Sequence, residues 1–486
     1  MPTLIATTAL DHPPQTVFEW HTRPGAFQRL TPPGFGRVES EASAGLAVGS
    51  RATLRVAVPG MRLPGLPPAS VRWVARHDSF DPPRSFSDVM ESGPMASWRH
   101  HRTFEPRPSG AEPAGGTELV ERVSYELPAP GRLPGIGSLA GHVMADQLGR
   151  FFAYRGRTLR DDLAFHAAHA GRGLVVAVAG SSGLVGRQLV ALLGGGGHDV
   201  RRLTRGRPGG AGTGEIRWDP ARGELDPAAL VDVDVVVNLA GEPVAGRFTD
   251  EHLRRVRESR VAGTGLLARA LATLAADGRP RALINASASG YYGPDRGDEV
   301  LTEESGPGRG VLADIVRDWE AATEPAQAAG VRVALVRTGI VQSPAGGQLG
   351  LQLPIFTAGL GGPLGDGRAW MPWITIDDLV GIYAHLVLGD ASGPVNAAAP
   401  TPVTGAEYAR TLASVVHRPA VLRVPGFAPA VLLGRRGADE FALAGQRMSA
   451  ARATELGYSF RHPELRTGLE HVLARTTDGP TEVEEH

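Results

Sequence analysis

The run Leu174-Val-Val-Ala-Val-Ala, followed at once by Gly180-Ser181-Ser182-Gly183-Leu184-Val185-Gly186 and then by Arg187–Leu193, constrains this chain more than any other feature. An apolar run without alternation reads as a strand buried on both faces, which belongs inside a parallel sheet. Glycine at every third position then turns that strand into a helix. Glycine suits this turn because the backbone must bend sharply and come close to a ligand. The free N–H groups of the helix start attract a pyrophosphate. Residues Gly180 to Gly186 are therefore expected to hold a dinucleotide.

The segments that follow repeat the alternation. Asp199–Leu203, Val233–Leu239, Arg281–Ala286 and Val331–Arg337 are apolar runs with helical stretches between them. That order describes an α/β doubly wound parallel sheet covered on both faces. From about Val395 the texture becomes a small α/β segment. In it Thr404-x-x-Glu407 opens a helix with a capping box, and Met448–Leu456 and Pro463–Ala474 read as helices. Before residue 170 the pattern is different. Short alternating runs (Ala52–Val58, Val71–Ala75, Glu118–Leu127) between Pro/Gly turns read as antiparallel strands. A helix is expected at Pro14–Arg23, and a longer one from Leu139 to His169, with Leu148, Phe151, Phe152, Leu159 and Leu163 on one stripe. The boundaries read as 1–166, a linker 167–173, 174–394, 395–476 and an acidic, disordered tail 477–486.

The second strand of the α/β region ends Leu203-Thr204-Arg205-Gly206-Arg207. An acidic residue here would receive the ribose 2′-hydroxyl of NAD. Thr204 and Arg205 suit a 2′-phosphate instead, so NADP(H) is the expected cofactor. Leu239-Ala240-Gly241-Glu242, after the next strand, are small enough at their centre to let it pass closely.

Composition excludes other chemistry. All 50 Lys+Arg residues are Arg, and there is no Cys. Schiff-base lysines, thiolate nucleophiles, zinc knuckles and iron–sulfur clusters are thereby ruled out. A net charge of −1 argues against a nucleic-acid partner. No apolar run approaches the ~18 residues of a membrane span, so a cytoplasmic protein is expected.

Several motifs in order carry a resemblance. Gly180–Gly186, Asn238-Leu-Ala-Gly-Glu-Pro, Ser259-Arg-Val, Ser287-Ala-Ser-Gly-Tyr-Tyr-Gly293, Asp318-Trp-Glu320 and Gly359-Leu-Gly-Gly-Pro-Leu-Gly365 are similar to the atypical, extended short-chain dehydrogenase/reductases, the NAD-dependent epimerase/dehydratase-like and sugar-nucleotide-epimerase-like proteins. The resemblance runs from about Leu174 to Ala474 and implies a Rossmann-like fold. More loosely, the first 165 or so residues resemble the polyketide-cyclase/lipid-transfer superfamily. That implies an α+β helix-grip (START-like) domain with an apolar ligand in its cavity.

The dehydrogenase resemblance implies a Tyr-x-x-x-Lys pair in which Tyr is the acid/base and Lys assists it. Aligning on Glu320 puts Leu312 and Val316 at those positions, and Arg260 where Asn is usual. The remaining candidates for catalysis are Ser287, Tyr291, Tyr292 and Arg260. The register is open by one residue: anchoring on Tyr292 places Ala288 at the usual Ser position, and anchoring on Tyr291 places Ser287 there. Asp377 and Asp378 read as helix capping. His100-His101 and His166-x-x-His169 read as solvated histidines, so no metal is expected. Trp20, Phe27 and Phe35 read as core of the first domain.

Two functions follow. One is an NADP(H)-dependent oxidoreductase or epimerase-like enzyme for a small molecule. The other is a non-catalytic NADP(H) sensor or scaffold with a ligand-binding N-terminal domain.

Overall fold

A computed structural model of the protein describes residues 2–42, 44–57, 70–107, 115–128, 136–206, 214–420, 422, 424–476 and 481–484. The chain forms two compact units. The first is Met1–Ala170 with Gly194–Gly197 and Glu470–His486, and the second is Gly171–Leu193 with His198–Leu469. The 395–469 stretch lies within the second unit.

In the first unit the alternating runs form an eight-stranded antiparallel sheet. Its order is Gly36–Ser40, Arg51–Ala57, Ser70–Asp81, Ser85–Ser92, Ser97–Pro106, Thr117–Glu126, Thr3–Leu10 and Thr481–Glu484. The last strand is a correction: residues expected to be disordered pair antiparallel with Thr3–Ala6. A helix spans Ile136–Ala168. Leu148 and Phe152 of the expected stripe pack with Leu4, Val123 and Tyr125. Leu159 and Leu163 pack with Trp20, Phe18 and Phe104. Phe27 is half-buried, and the Phe35 ring meets Phe151 at 4.8 Å.

The interior between helix and sheet also holds charge. Arg155 donates to Glu121 at 2.9 Å, Arg102 donates to Asp88 at 2.7 Å, and His100 Nε2 lies 3.2 Å from Glu121. Burial opposes ionisation of Glu121, yet Arg155 and His100 hold its carboxyl well below the usual range. Burial also brings both His21 and His100 down to about 4, so each is neutral near pH 7. The expectation of a solvated His100 is thereby corrected. The two-residue period of Ser97–Pro106 turns His100 inward and leaves His101 half-buried. A cavity of about 160 Å³ is lined by His21, Leu30, Leu119, Glu121, Arg155 and Leu159 among others, so polar and apolar groups share its wall.

In the second unit, seven parallel strands run Glu215–Arg217, Asp199–Thr204, Val175–Ala179, Val235–Asn238, Ala282–Ala288, Arg332–Thr338 and Gly393–Ala397. The order reverses beside Val175–Ala179, which is where a doubly wound sheet opens a crevice at its carboxyl edge. The apolar runs of the sequence are these strands, and Ala177, Val236, Leu283 and Val333 lie in one core cluster. Thr404 and Glu407 make the expected capping box. One helix call needs correction. Met448 ends a strand, Gly445–Met448, which pairs with the distant Asp295–Leu301, and the helix begins only at Ala451. Thr375 caps the helix Ile376–Leu388, and the buried Asp378 accepts hydrogen bonds from Tyr458 and from the backbone of Arg461 and His462.

Candidate functional site

The register of the sheet brings the expected cofactor residues to one edge. Ala179 pairs with Leu203 on one side and with Asn238 on the other, and Asn238 pairs with Asn285. The segments that follow these residues therefore emerge together: Gly180–Gly186, Thr204–Arg205, Leu239–Glu242 and Ser287–Tyr292.

Two glycines in the loop are irreplaceable. Gly180 has φ +76°, and a Cβ there would lie 2.7 Å from the carbonyl carbon of Leu239. A Cβ on Gly186 would lie 2.2 Å from the Gly180 oxygen. The loop is folded so tightly on itself that only backbone fits. The Gly183 N–H closes the turn on the Gly180 carbonyl at 3.0 Å. The helix Leu184–Gly195 starts directly after it, so the first N–H groups of Leu184, Val185 and Gly186 have no intrahelical acceptor. Ser181 is buried, while Ser182 and Gly183 are exposed. The residues present thus form a cradle that fits a dinucleotide pyrophosphate. Arg205 is exposed at the end of its strand, and the hydroxyl of Thr204 is buried with no hydrogen-bond partner.

Arg260 is placed away from the tyrosines. Its Nη1 donates to the Glu242 carbonyl at 2.8 Å and to the Val256 carbonyl at 3.1 Å, and its guanidinium lies over Trp319, 5.0 Å from the ring centroid. Burial brings it down to about 10. A Cβ on Gly241 would approach it to 3.2 Å. Arg260 and Ser259, which accepts from the Glu242 N–H at 3.0 Å, therefore clip the Leu239–Glu242 loop to the helix Asp250–Leu274.

At the other end of the edge the hydroxyls divide. Ser287 donates to Glu320 at 2.6 Å. Glu320 also receives Arg337 at 2.9 and 3.0 Å. Arg337 Nη1 donates to the Tyr292 hydroxyl at 3.1 Å, and that hydroxyl lies 2.7 Å from Asn396 Oδ1. Tyr292 is fully buried. Burial raises its phenol, and Arg337 offsets only part of the rise. Burial opposes the charge on Arg337 too, but Glu320 and Tyr292 hold the guanidinium above its ordinary value. Tyr291 is half-buried, with the Arg337 guanidinium 3.5 Å from its ring centroid.

Reading the sequence missed Arg337 and Asn396 as parts of this site, and used Glu320 only as a landmark. The strand run ending in Arg337 and the Asp318-Trp-Glu320 motif were the available signals. Leu312 and Val316, on the helix Val311–Ala321, sit beside the tyrosine turn. A Cβ on Gly290 would meet Leu312 at 3.5 Å and Val316 at 3.6 Å.

Comparison with known proteins agrees with this geometry. The model of the NAD dependent epimerase/dehydratase family matches residues 176–398, and a domain of unknown function matches 424–472. An epimerase family protein of Mycobacterium bovis is 43% identical over 280 residues, covering 57% of this chain and 90% of the relative. The crystal structure of a nucleoside-diphosphate sugar epimerase from Corynebacterium glutamicum is similar at 36% identity and a TM-score of 0.76. The match covers 97% of this chain and 90% of that one, so it takes in both units. The human epimerase family protein SDR39U1, solved with NADPH, is similar at 32% identity and a TM-score of 0.55. It covers 62% of this chain and 99% of its own.

Proposed function

Because the chain belongs to the NAD-dependent epimerase/dehydratase family and binds NADP, we propose that it is an NADP(H)-dependent oxidoreductase for a small carbonyl compound, with Tyr291 as proton donor. The Gly180–Gly186 loop would hold the pyrophosphate, Thr204 and Arg205 the 2′-phosphate, and Leu239–Glu242 the opposite flank. When bound, NADPH supplies a hydride to the carbonyl carbon, leaving NADP⁺. Tyr291 gives its phenolic proton to the carbonyl oxygen, and the product is the alcohol. Reprotonation of Tyr291 from solvent closes the cycle.

One observation carries the choice of Tyr291. The Ser287 and Tyr292 hydroxyls are bound by Glu320 and by Asn396 and Arg337, whereas Tyr291 lies at the crevice under a guanidinium. That positive charge opposes the build-up of negative charge on the phenolic oxygen during transfer, the electrostatic part that lysine takes in the usual pair. Tyr291→Phe should lower turnover at least about 100-fold, the usual scale of a general acid, while NADPH affinity stays unchanged. Unaltered turnover would remove Tyr291 from the reaction.

A second reading has its own support. Leu312 and Val316 replace both usual proton-handling positions, which suits an NADP(H) sensor or scaffold without turnover. Steady transfer of deuterium from 4-deuterated NADPH to any carbonyl compound would end it. The first unit, a sheet with a long helix packed on it, is read as a helix-grip ligand module. No described helix is long and apolar enough to cross a membrane, and the protein is placed in the cytoplasm on the sequence reading.

A further inference from the structure

The helix Ala428–Gly437 begins the segment matched by the domain of unknown function, and its surface is unusual. Phe427, Val431 and Leu432 are 74%, 72% and 77% exposed. Large apolar side chains grouped on the surface in this way mark a place where something binds.

The helix is tied to the edge that carries the reaction. Its Leu433 carbonyl accepts from the N–H of Phe248, and a Cβ on Gly437 would touch both Leu433 and Phe248. Just beyond it, Phe441 meets the Phe248 ring at 6.1 Å. Glu440 accepts from the N–H of Leu312 at 3.2 Å. Phe248 in turn belongs to one apolar cluster with Val244, Val311 and Leu312. An apolar strip therefore runs from Leu312, beside the tyrosine turn, through Val311, Val244 and Phe248 to Phe441 and the exposed helix.

We propose that this strip and the helix Ala428–Gly437 form the substrate wall, and that the substrate is an apolar-bodied carbonyl compound rather than a sugar nucleotide. The proposal rests on reading the Tyr291 edge as a reductase site. A hydroxylated sugar laid on this wall would lose water and find no hydrogen-bond partners there. An alkyl or aryl body would bury the exposed Phe427, Val431 and Leu432 and gain by it. Replacement of the usual Tyr and Lys by Leu312 and Val316 then has a second meaning: it extends the apolar surface to the reacting carbon.

The test uses the full chain loaded with NADPH. Hydrogen–deuterium exchange over 427–441 is measured with decanol, which cannot be reduced, and with UDP-glucose. Decanal and UDP-4-keto-glucose are compared as oxidants of NADPH. Decanol is expected to protect 427–441 and UDP-glucose is not. The double variant Val431→Asp/Leu432→Asp should raise the KM for decanal at least tenfold, with a smaller change in kcat and unchanged NADPH affinity and Tm. Protection by decanol without reduction of decanal would uphold the apolar wall and overturn the reductase reading. Protection by UDP-glucose alone would overturn the wall. So would a double variant whose only change is a smaller assembly in sedimentation, since the helix would then be a contact between copies.

Discussion

The two ends of the crevice sit on one sheet edge but are built by different means. At the nucleotide end the backbone does the work. Gly180 and Gly186 are fixed because any side chain would strike the Leu239 or Gly180 backbone. At the reaction end the side chains do it: Ser287, Glu320, Arg337, Tyr292 and Asn396 form a buried network, and aliphatic Leu312 and Val316 face Gly290. The contrast teaches how a family keeps a cofactor while its chemistry drifts. A backbone cradle tolerates no substitution, whereas a pair such as Tyr and Lys can be exchanged for Leu and Val without moving the strand that presents them.

The severest test of this contrast is Gly186→Val. With its Cβ 2.2 Å from the Gly180 oxygen, the loop must open, and NADPH binding in calorimetry should disappear. Retention of binding within tenfold would break the claim that backbone alone makes the cradle. Next in size is Glu320→Gln, which leaves Arg337 buried without its counter-charge. It should cost about 3–5 kcal/mol in urea unfolding, the usual loss when one partner of a buried pair is removed. NADPH affinity should change less than threefold, and a large change would show that the two ends are not independent.

Acid provides a third test, by setting the Arg337–Glu320 pair beside the network of the first unit, where two neutral histidines are built in. His21 faces Glu121, Arg155 and Arg102, and His100 faces Arg102, Glu121 and Asp88. Each histidine falls from 6.5 in the unfolded chain to about 4 in the folded one. The folded state therefore binds fewer protons between these values, and stability is lost as pH falls from 6.5 toward 4. The loss is on the order of 3 kcal/mol for each fully expressed histidine. Glu121, whose carboxyl is depressed, adds to the loss below its unfolded value of 4.5. Proteolysis in stepped urea at pH 7, 6 and 5 should show the first unit opening earlier as pH drops. A pH-independent midpoint for that unit would refute the assignment. The smallest effect belongs to Arg205→Ala. Losing one exposed charged contact should narrow the NADPH-over-NADH preference by about tenfold. No narrowing would move the 2′-phosphate contact to another residue.

How much of this could be read from the sequence differs between the same two ends. The glycine loop, the strand run before it and the Thr404/Glu407 box are local patterns, and local patterns survive translation into structure. The Ser287–Glu320–Arg337 and Tyr292–Asn396 contacts join a strand end, a helix and two further strands. Nothing near Ser287 in sequence announces that its hydroxyl is taken. The same limit explains Arg260, which looked like a replacement charge for the tyrosines and instead holds the Leu239–Glu242 loop. Met448 was read as helical because its strand partner lies around Asp295–Leu301, far upstream. His100 was within reach: counting alternate residues back from the buried Phe104 places it indoors.

The pairing of Thr481–Glu484 with Thr3–Ala6 has a consequence for the order of events in the cell. The first strand is among the earliest residues to leave the ribosome, and its partner is among the latest. Until residues past 480 emerge, one flank of Thr3–Leu10 presents unsatisfied N–H and C=O groups, a template for pairing with another chain. The first unit must wait for the whole nucleotide-binding unit to be synthesised before its sheet is complete. Its folding clock is set by translation of a neighbour, and a nascent-chain chaperone is most useful during that interval.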